Sequence, residues 1–194
     1  MKYQIKGLKE LMKGLDPKIA TAVLARSLNT TTRQAMTAGN KETRTKYNIK
    51  AAELKSYMSM TRAKETAGEM GTTVRVSSES VPLYRFAGQS YVAKTKGAKK
   101  YYGASAKPLK SERRKRYKGA FPAVMSSGHL GIFTRSKTKK SRKTGRAAIV
   151  EKRMITATSM FDGLGSDAMY EYVEDNLMDV FFKEYKRKAW VAGR

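Results

Sequence analysis

His129 is the chain's only histidine. It stands in Gly119-Ala-Phe-Pro-Ala-Val-Met-Ser-Ser-Gly-His-Leu-Gly-Ile-Phe-Thr-Arg135, just behind Ser126 and Ser127. A histidine works as a general base when a nucleophile or an orienting acid is held beside it. The sequence identifies neither, and it has no Gly-x-Ser-x-Gly elbow to expose a serine. The plain reading of His129 is a turn residue beside Gly128. With no cysteine and one histidine, a zinc site lacks its ordinary donors. Gly163-Leu-Gly165-Ser-Asp-Ala168 matches Gly-x-Gly-x-x-Ala and opens a helix, as a dinucleotide-binding turn does. That fingerprint also needs a second strand ending in an acid. None follows, so the match reads as a loop and a helix cap. The sequence is read as that of a non-enzyme without a cofactor.

The stronger chemical signal is charge. Between Lys94 and Arg153 lie about half of the chain's Lys and Arg but only two acids, Glu112 and Glu151. The first basic tract carries Lys94, Lys96, Lys99, Lys100, Lys107, Lys110, Arg113, Arg114, Lys115, Arg116 and Lys118. The second carries Arg135, Lys137, Lys139, Lys140, Arg142, Lys143 and Arg146. Tyr91, Tyr101, Tyr102 and Tyr117 are interleaved. Cations held at phosphates release condensed counterions, so such tracts bind polyanions with steep salt dependence and little sequence preference. The tyrosines could stack on bases or anchor the loops to the body. No recognition helix or aromatic RNA-binding signature is present. Three uses stay open: contact with a polyanion, docking on an acidic protein surface, and plain solubility, in falling order of preference.

Composition sets the frame. The 194 residues carry a net charge of +25 and 40% hydrophobic residues, with a mean hydropathy of −0.60. The length suits one domain, spanning residues 1–194, with extended basic loops at about 96–118 and 136–146. Charge of this size calls for a polyanion or an acidic partner. A membrane surface suits it less well, because the tracts lack large apolar residues. The first residues show no apolar signal segment, and no apolar run approaches the ~18 residues of a membrane span. The chain is expected to be soluble and made in the cytoplasm.

The elements that must position these residues read as follows. Lys2–Lys6 is a short strand and Leu8–Leu15 a short helix. Asp16-Pro17 starts a long helix running to about Ala38, with Gly39-Asn40 as its stop. Ile49–Met58 is a second amphipathic segment. Met58–Ala67 and Thr72–Ser77 are strands around a Gly68–Gly71 turn. Val81–Phe86 and Tyr91–Thr95 are further strands. Lys96–Lys118 is an extended loop without a core of its own, since nothing in it repeats at a helical or strand period. Gly119–Met125 and Gly131–Arg135 form a hairpin. Ser136–Arg146 is the second loop, and Ala147–Val150 and Met154–Thr158 are β-prone. Ser166 or Asp167 caps a last helix whose face is Met169, Val173, Leu177, Val180 and Phe181. The order gives an α+β fold: N-terminal helices, a mostly antiparallel sheet with long basic loops, and a C-terminal helix.

Three stretches resemble the prophage minor tail protein Z family. Ser27-Leu-Asn-Thr-Thr-Thr-Arg-Gln-Ala-Met36 is similar to its Asn-centred helix. Val81-Pro-Leu-Tyr-Arg-Phe86 resembles its Pro-Leu-x-x-Phe strand. Gly119-Ala-Phe-Pro-Ala-Val-Met with Ser127-Gly-His-Leu-Gly-Ile-Phe-Thr-Arg135 resembles its Ala-Phe … Ser-Gly-His-x-Gly-x-Phe-x-Arg core. The resemblance is ordered and covers roughly residues 1–190. Where family members tend to carry Leu-Pro-Ile, this chain has Ala147-Ala-Ile-Val150 behind an unusually basic loop.

The resemblance implies a structural virion protein of a tailed phage, a tail completion or neck subunit. Its implied partners are the tail terminator, the head–tail connector, further copies of itself in a ring (a hexamer by tail symmetry) and the DNA in the channel. It implies a scaffold or interface role for Phe121, Gly128, His129, Gly131, Phe133 and Arg135, with Phe133 facing inward or into a neighbouring subunit. The rival from another class is a non-specific nucleic-acid-binding module, ribosome- or nucleoid-associated.

Overall fold

The computed structural model describes residues 16–64, 70–87, 103–141 and 145–192. The strand expected at Lys2–Lys6, the helix at Leu8–Leu15 and the strand at Tyr91–Thr95 lie outside these residues. The fold is α+β, with long helices at both ends and antiparallel strands between them. The chain divides into two compact units. The first comprises Met1–Glu42, Ser56–Ser77 and Phe161–Arg194, the second Thr43–Lys55 and Ser78–Met160.

The first unit is built on helix α1 (Pro17–Lys46), whose last turn belongs to the second unit. Asp16 caps it as read, its Oδ1 accepting the Ile19 N–H at 3.3 Å. The helix does not stop at Gly39-Asn40 but runs on to Lys46. The physical reason is close approach. A Cβ on Gly39 would meet the Gly165 carbonyl oxygen at 2.6 Å and the Met169 Cγ at 2.5 Å. Gly39 is therefore where α1 meets the last helix, and its missing side chain makes room there.

Strands β1 (Met58–Thr61) and β2 (Thr73–Val76) pair antiparallel as expected, but β1 ends at Thr61, short of the expected run to Ala67, and residues 65–69 lie outside the described residues. Helix α4 (Leu164–Ala192) begins two residues before the predicted cap. The Ser166 hydroxyl donates to the Gly163 carbonyl rather than capping the helix. Met169, Leu177 and Phe181 are buried along its predicted face, and Phe181 joins Val23 and Leu24 of α1 in a core cluster. Burying side chains of this size stabilises by roughly 1.5–3 kcal/mol each.

The second unit holds the basic region. A short helix, α2 (Ala51–Lys55), is followed in sequence by β3 (Ser80–Pro82) and a 3-10 turn (Leu83–Arg85), where a strand was expected to run on to Phe86. Strand β4 (Ala104–Ala106) pairs with β5 (Lys115–Tyr117). Strands β6 (Ala120–Val124), β7 (Leu130–Lys140) and β8 (Ala147–Glu151) form a three-stranded sheet. Strand β9 (Arg153–Thr156) returns to β3 and leads into helix α3 (Ala157–Phe161). Among the described residues the strands thus form several small antiparallel sheets.

Two expectations change here. The described part of Lys96–Lys118 is not a free loop. Ala104, Ser105 and Ala106 are all buried, and the two alanines share a cluster with Leu83, Ala120 and Ile132. Small side chains let this strand lie close to its neighbours, so the segment enters a core without large apolar residues. Backbone bonds from Lys110 N–H to Lys46 C=O and from Asn48 N–H to Pro108 C=O tie its outer turn down. The second loop is likewise shortened, because β7 continues to Lys140 and pairs there with Ala147.

Candidate polyanion interface and hairpin

The hairpin of β6 and β7 is where the sequence motif becomes geometry. Gly128 has φ +79° and its N–H donates to Met125 C=O at 2.8 Å, while Met125 N–H donates to His129 C=O at 2.8 Å. This is a three-residue loop whose last position needs a left-handed backbone, which glycine adopts without steric cost. Phe121 then stands opposite Phe133, and Val124 opposite Leu130.

Side chains alternate along a strand, so Gly131, Phe133 and Arg135 share one face of β7, and His129, just before its first residue, continues the same alternation. The residues between them take the other face, where Ile132 enters the core. On the motif face the rings of Phe121 and Phe133 have centroids 6.4 Å apart. His129 meets Phe133 edge-on at 6.2 Å, and the Arg135 guanidinium lies 5.9 Å from the Phe121 ring centroid. Phe133 is only 5% exposed, so this chain itself covers it.

His129 has no orienting acid among its sequence neighbours, but the fold supplies one. Glu151, opposite Phe133 on β8, brings Oε1 to 2.5 Å from His129 Nε2. Its Oε2 accepts from Arg153 Nε at 3.0 Å. A Cβ on Gly131 would stand 2.7 Å from Glu151 Oε1, so Gly131 leaves the space this carboxylate uses. The dyad has the parts to orient a base, and it also ties the turn before β7 to β8. No group of three or more His, Cys, Asp or Glu comes together as a metal site among the described residues.

The acids of the basic stretch are both consumed locally. Glu151 takes His129 and Arg153, and Glu112 holds Lys115 Nζ at 2.6 Å. That contact raises the Lys115 pKa above its ordinary 10.5, first through the hydrogen bond and then through the charge of Glu112. Lys110, Arg113, Arg114, Lys115, Arg116 and Lys118 are exposed, with Lys107 half-buried. Arg114 donates to the Ala87 carbonyl at 2.9 Å.

In the second tract Arg135, Lys137, Lys139, Lys140 and Arg146 are exposed. Strand β7 spends five residue steps between Arg135 and Lys140, where β8 spends two between Ile149 and Ala147. Within this irregular stretch Ser136 Oγ accepts the N–H of Lys139 at 2.9 Å and of Thr138 at 3.3 Å. Such a bulge bends the strand and re-aims its side chains. Lys94, Lys96, Lys99, Lys100, Arg142 and Lys143 lie outside the described residues.

The residue that sequence reasoning missed is Glu151. Its only signal was being one of two acids in a basic stretch. No helix among the described residues is long and apolar enough to cross a membrane. Comparison with known proteins finds no matching family model, no matching curated protein and no matching solved structure.

Proposed function

We propose that the chain is a structural virion protein of a tailed phage. It serves as a tail completion or neck ring subunit at the head-proximal end of the tail, joining tail to head around the DNA path. The observation that carries this reading is the β6–β7 hairpin. Ser127 and Gly128 of its motif form the turn, its His129, Gly131, Phe133 and Arg135 share one face, locked by Glu151, and its far end carries Lys137, Lys139 and Lys140 exposed.

The mechanism is electrostatic. Basic strands and loops from several copies meet the DNA in the channel or the acidic face of a neighbouring ring, such as a tail terminator or head–tail connector. The exposed cross-strand pair Val124 and Leu130 offers an apolar contact between copies. A density map of the intact neck tests the reading. It should show a closed ring of about six copies, matching tail symmetry, with the basic segments against DNA or acidic neighbours. A particle whose basic segments lie far from both would overturn it.

A second reading, the non-specific nucleic-acid-binding module, is favoured by one observation: both acids of the basic stretch are already paired, and its described cations other than Lys107 are exposed. It predicts submicromolar binding by the monomer with a steep salt slope, measured by filter binding.

A further inference from the structure

The first unit holds a groove of about 710 Å³ that the basic tracts do not reach in sequence. Six cations among the described residues line it: Arg26 and Arg33 of α1, Arg62 and Lys64 after β1, and Arg187 and Lys188 of α4. Among the described residues its lining has one carboxylate, Glu184. Its Oε2 takes Arg26 Nε at 3.1 Å and Arg187 Nη2 at 2.8 Å. Among the described residues, Arg33, Arg62, Lys64 and Lys188 form no ion pair.

The walls are joined by a side-chain amide that grips a backbone. Ala63 N–H donates to Asn29 Oδ1 at 3.0 Å, and Asn29 Nδ2 donates to Ala63 C=O at 3.1 Å. This clamp holds the segment after β1 against α1, with Ala63 buried and Arg62 and Lys64 exposed on either side. Arg26 and Arg33 are two turns apart on α1, about 10 Å along its axis. Laid along the duplex axis, that distance covers about three base-pair steps at ~3.4 Å of rise each.

We propose that this groove binds the phosphodiester backbone of duplex DNA. Its lining explains the choice. Protein–protein interfaces concentrate aromatic side chains and deplete charge at their centre, whereas protein–DNA interfaces are strongly positive and polar. Grooves for single strands stack bases on aromatic rings, and none of the described lining residues is aromatic. Glu184 occupies a two-guanidinium clasp of the kind that also suits a phosphate, so it competes with the ligand from within. This inference goes beyond the ring reading and stands with or without it. Groove variants report on DNA contact, and oligomeric state reports on the ring.

The test is fluorescence anisotropy of the full chain with a short labelled duplex, titrated across salt. The triple variant Arg33→Ala, Arg62→Ala, Lys64→Ala removes three exposed, unpaired cations. It should reduce the slope of log K against log salt by about two to three, near 0.9 per lost phosphate contact, evenly across duplex sequences. Glu184→Gln should tighten binding and steepen the slope by about one. It carries the test alone if the triple variant loses its helical circular dichroism. Slopes equal to the parent's in the folded variants would overturn the proposal. So would poly-glutamate binding the parent as tightly as the duplex does, with the same loss in the variants, because the groove would then serve an acidic protein.

Discussion

His129 Nε2 and Glu151 Oε1 lie 2.5 Å apart, bridging the turn end of β7 to the last residue of β8. The Glu151 side chain is 11% exposed and that of His129 37%. Its other oxygen is engaged by Arg153, so the carboxylate ties three segments: the hairpin loop, β8 and the start of β9. The His129 ring rests edge-on against Phe133.

The first prediction concerns that lock. Glu151→Ala leaves His129 and Arg153 without their shared acceptor and should destabilise by about 1–2 kcal/mol. His129→Ala should cost less, and the two changes should not add. A double-mutant cycle by thermal unfolding measures this, with an expected coupling of at least about 0.5 kcal/mol. Additive losses would show that each side chain is held by something else. If the chain is a virion component, a phage carrying His129→Ala should still assemble infectious particles.

Gly131 gives an independent check on the same site. A Cβ there would stand 2.7 Å from Glu151 Oε1 and 2.9 Å from the Phe133 ring. Gly131→Ala should therefore behave as overpacking, costing about 1–3 kcal/mol. The urea midpoint should fall while the slope of the transition stays the same. A stability gain would mean that the space beside Glu151 is open.

The sequence showed what repeats with a short period and hid what depends on distant partners. The hairpin was legible because apolar residues, a Pro-containing strand and Ser127-Gly128 mark two strands and a turn. The last helix was legible from Met169, Val173, Leu177 and Phe181. Strand β4 was not, because Ala104-Ser-Ala106 carries no large apolar side chain and is buried through smallness. The extension of β7 was hidden because Lys137, Lys139 and Lys140 read as a solvated charge run. Glu151 was missed as a partner of His129 because 22 residues separate them. The groove was invisible for the same reason: Arg33, Lys64 and Lys188 belong to three separate segments.

Lys115 provides a titration test. Its pKa lies above the ordinary 10.5 because Glu112 hydrogen-bonds and attracts its charged form. The stabilisation from this contact is fully present below the unfolded pKa and is lost as pH rises through the folded one. Glu112→Gln should bring the Lys115 pKa back down towards 10.5, read by NMR of its side-chain resonances. An unchanged titration would assign the upward shift to some other group.

Gly39 separates two accounts of α1. If it were a helix stop, or simply a weak point in a helix, Gly39→Ala would be neutral or would stabilise by up to about 1 kcal/mol through helix propensity. The structure requires the opposite sign. The new Cβ would meet Met169 Cγ at 2.5 Å and the Gly165 carbonyl oxygen at 2.6 Å. Met169 is flexible and can move aside, but the carbonyl belongs to the backbone of α4. The expected cost is about 1–3 kcal/mol in thermal or urea unfolding. Adding Met169→Ala should relieve only the side-chain part of the clash, so the double variant should remain less stable than Met169→Ala alone. Equal stability of those two variants would mean that α1 and α4 can separate freely at Gly39.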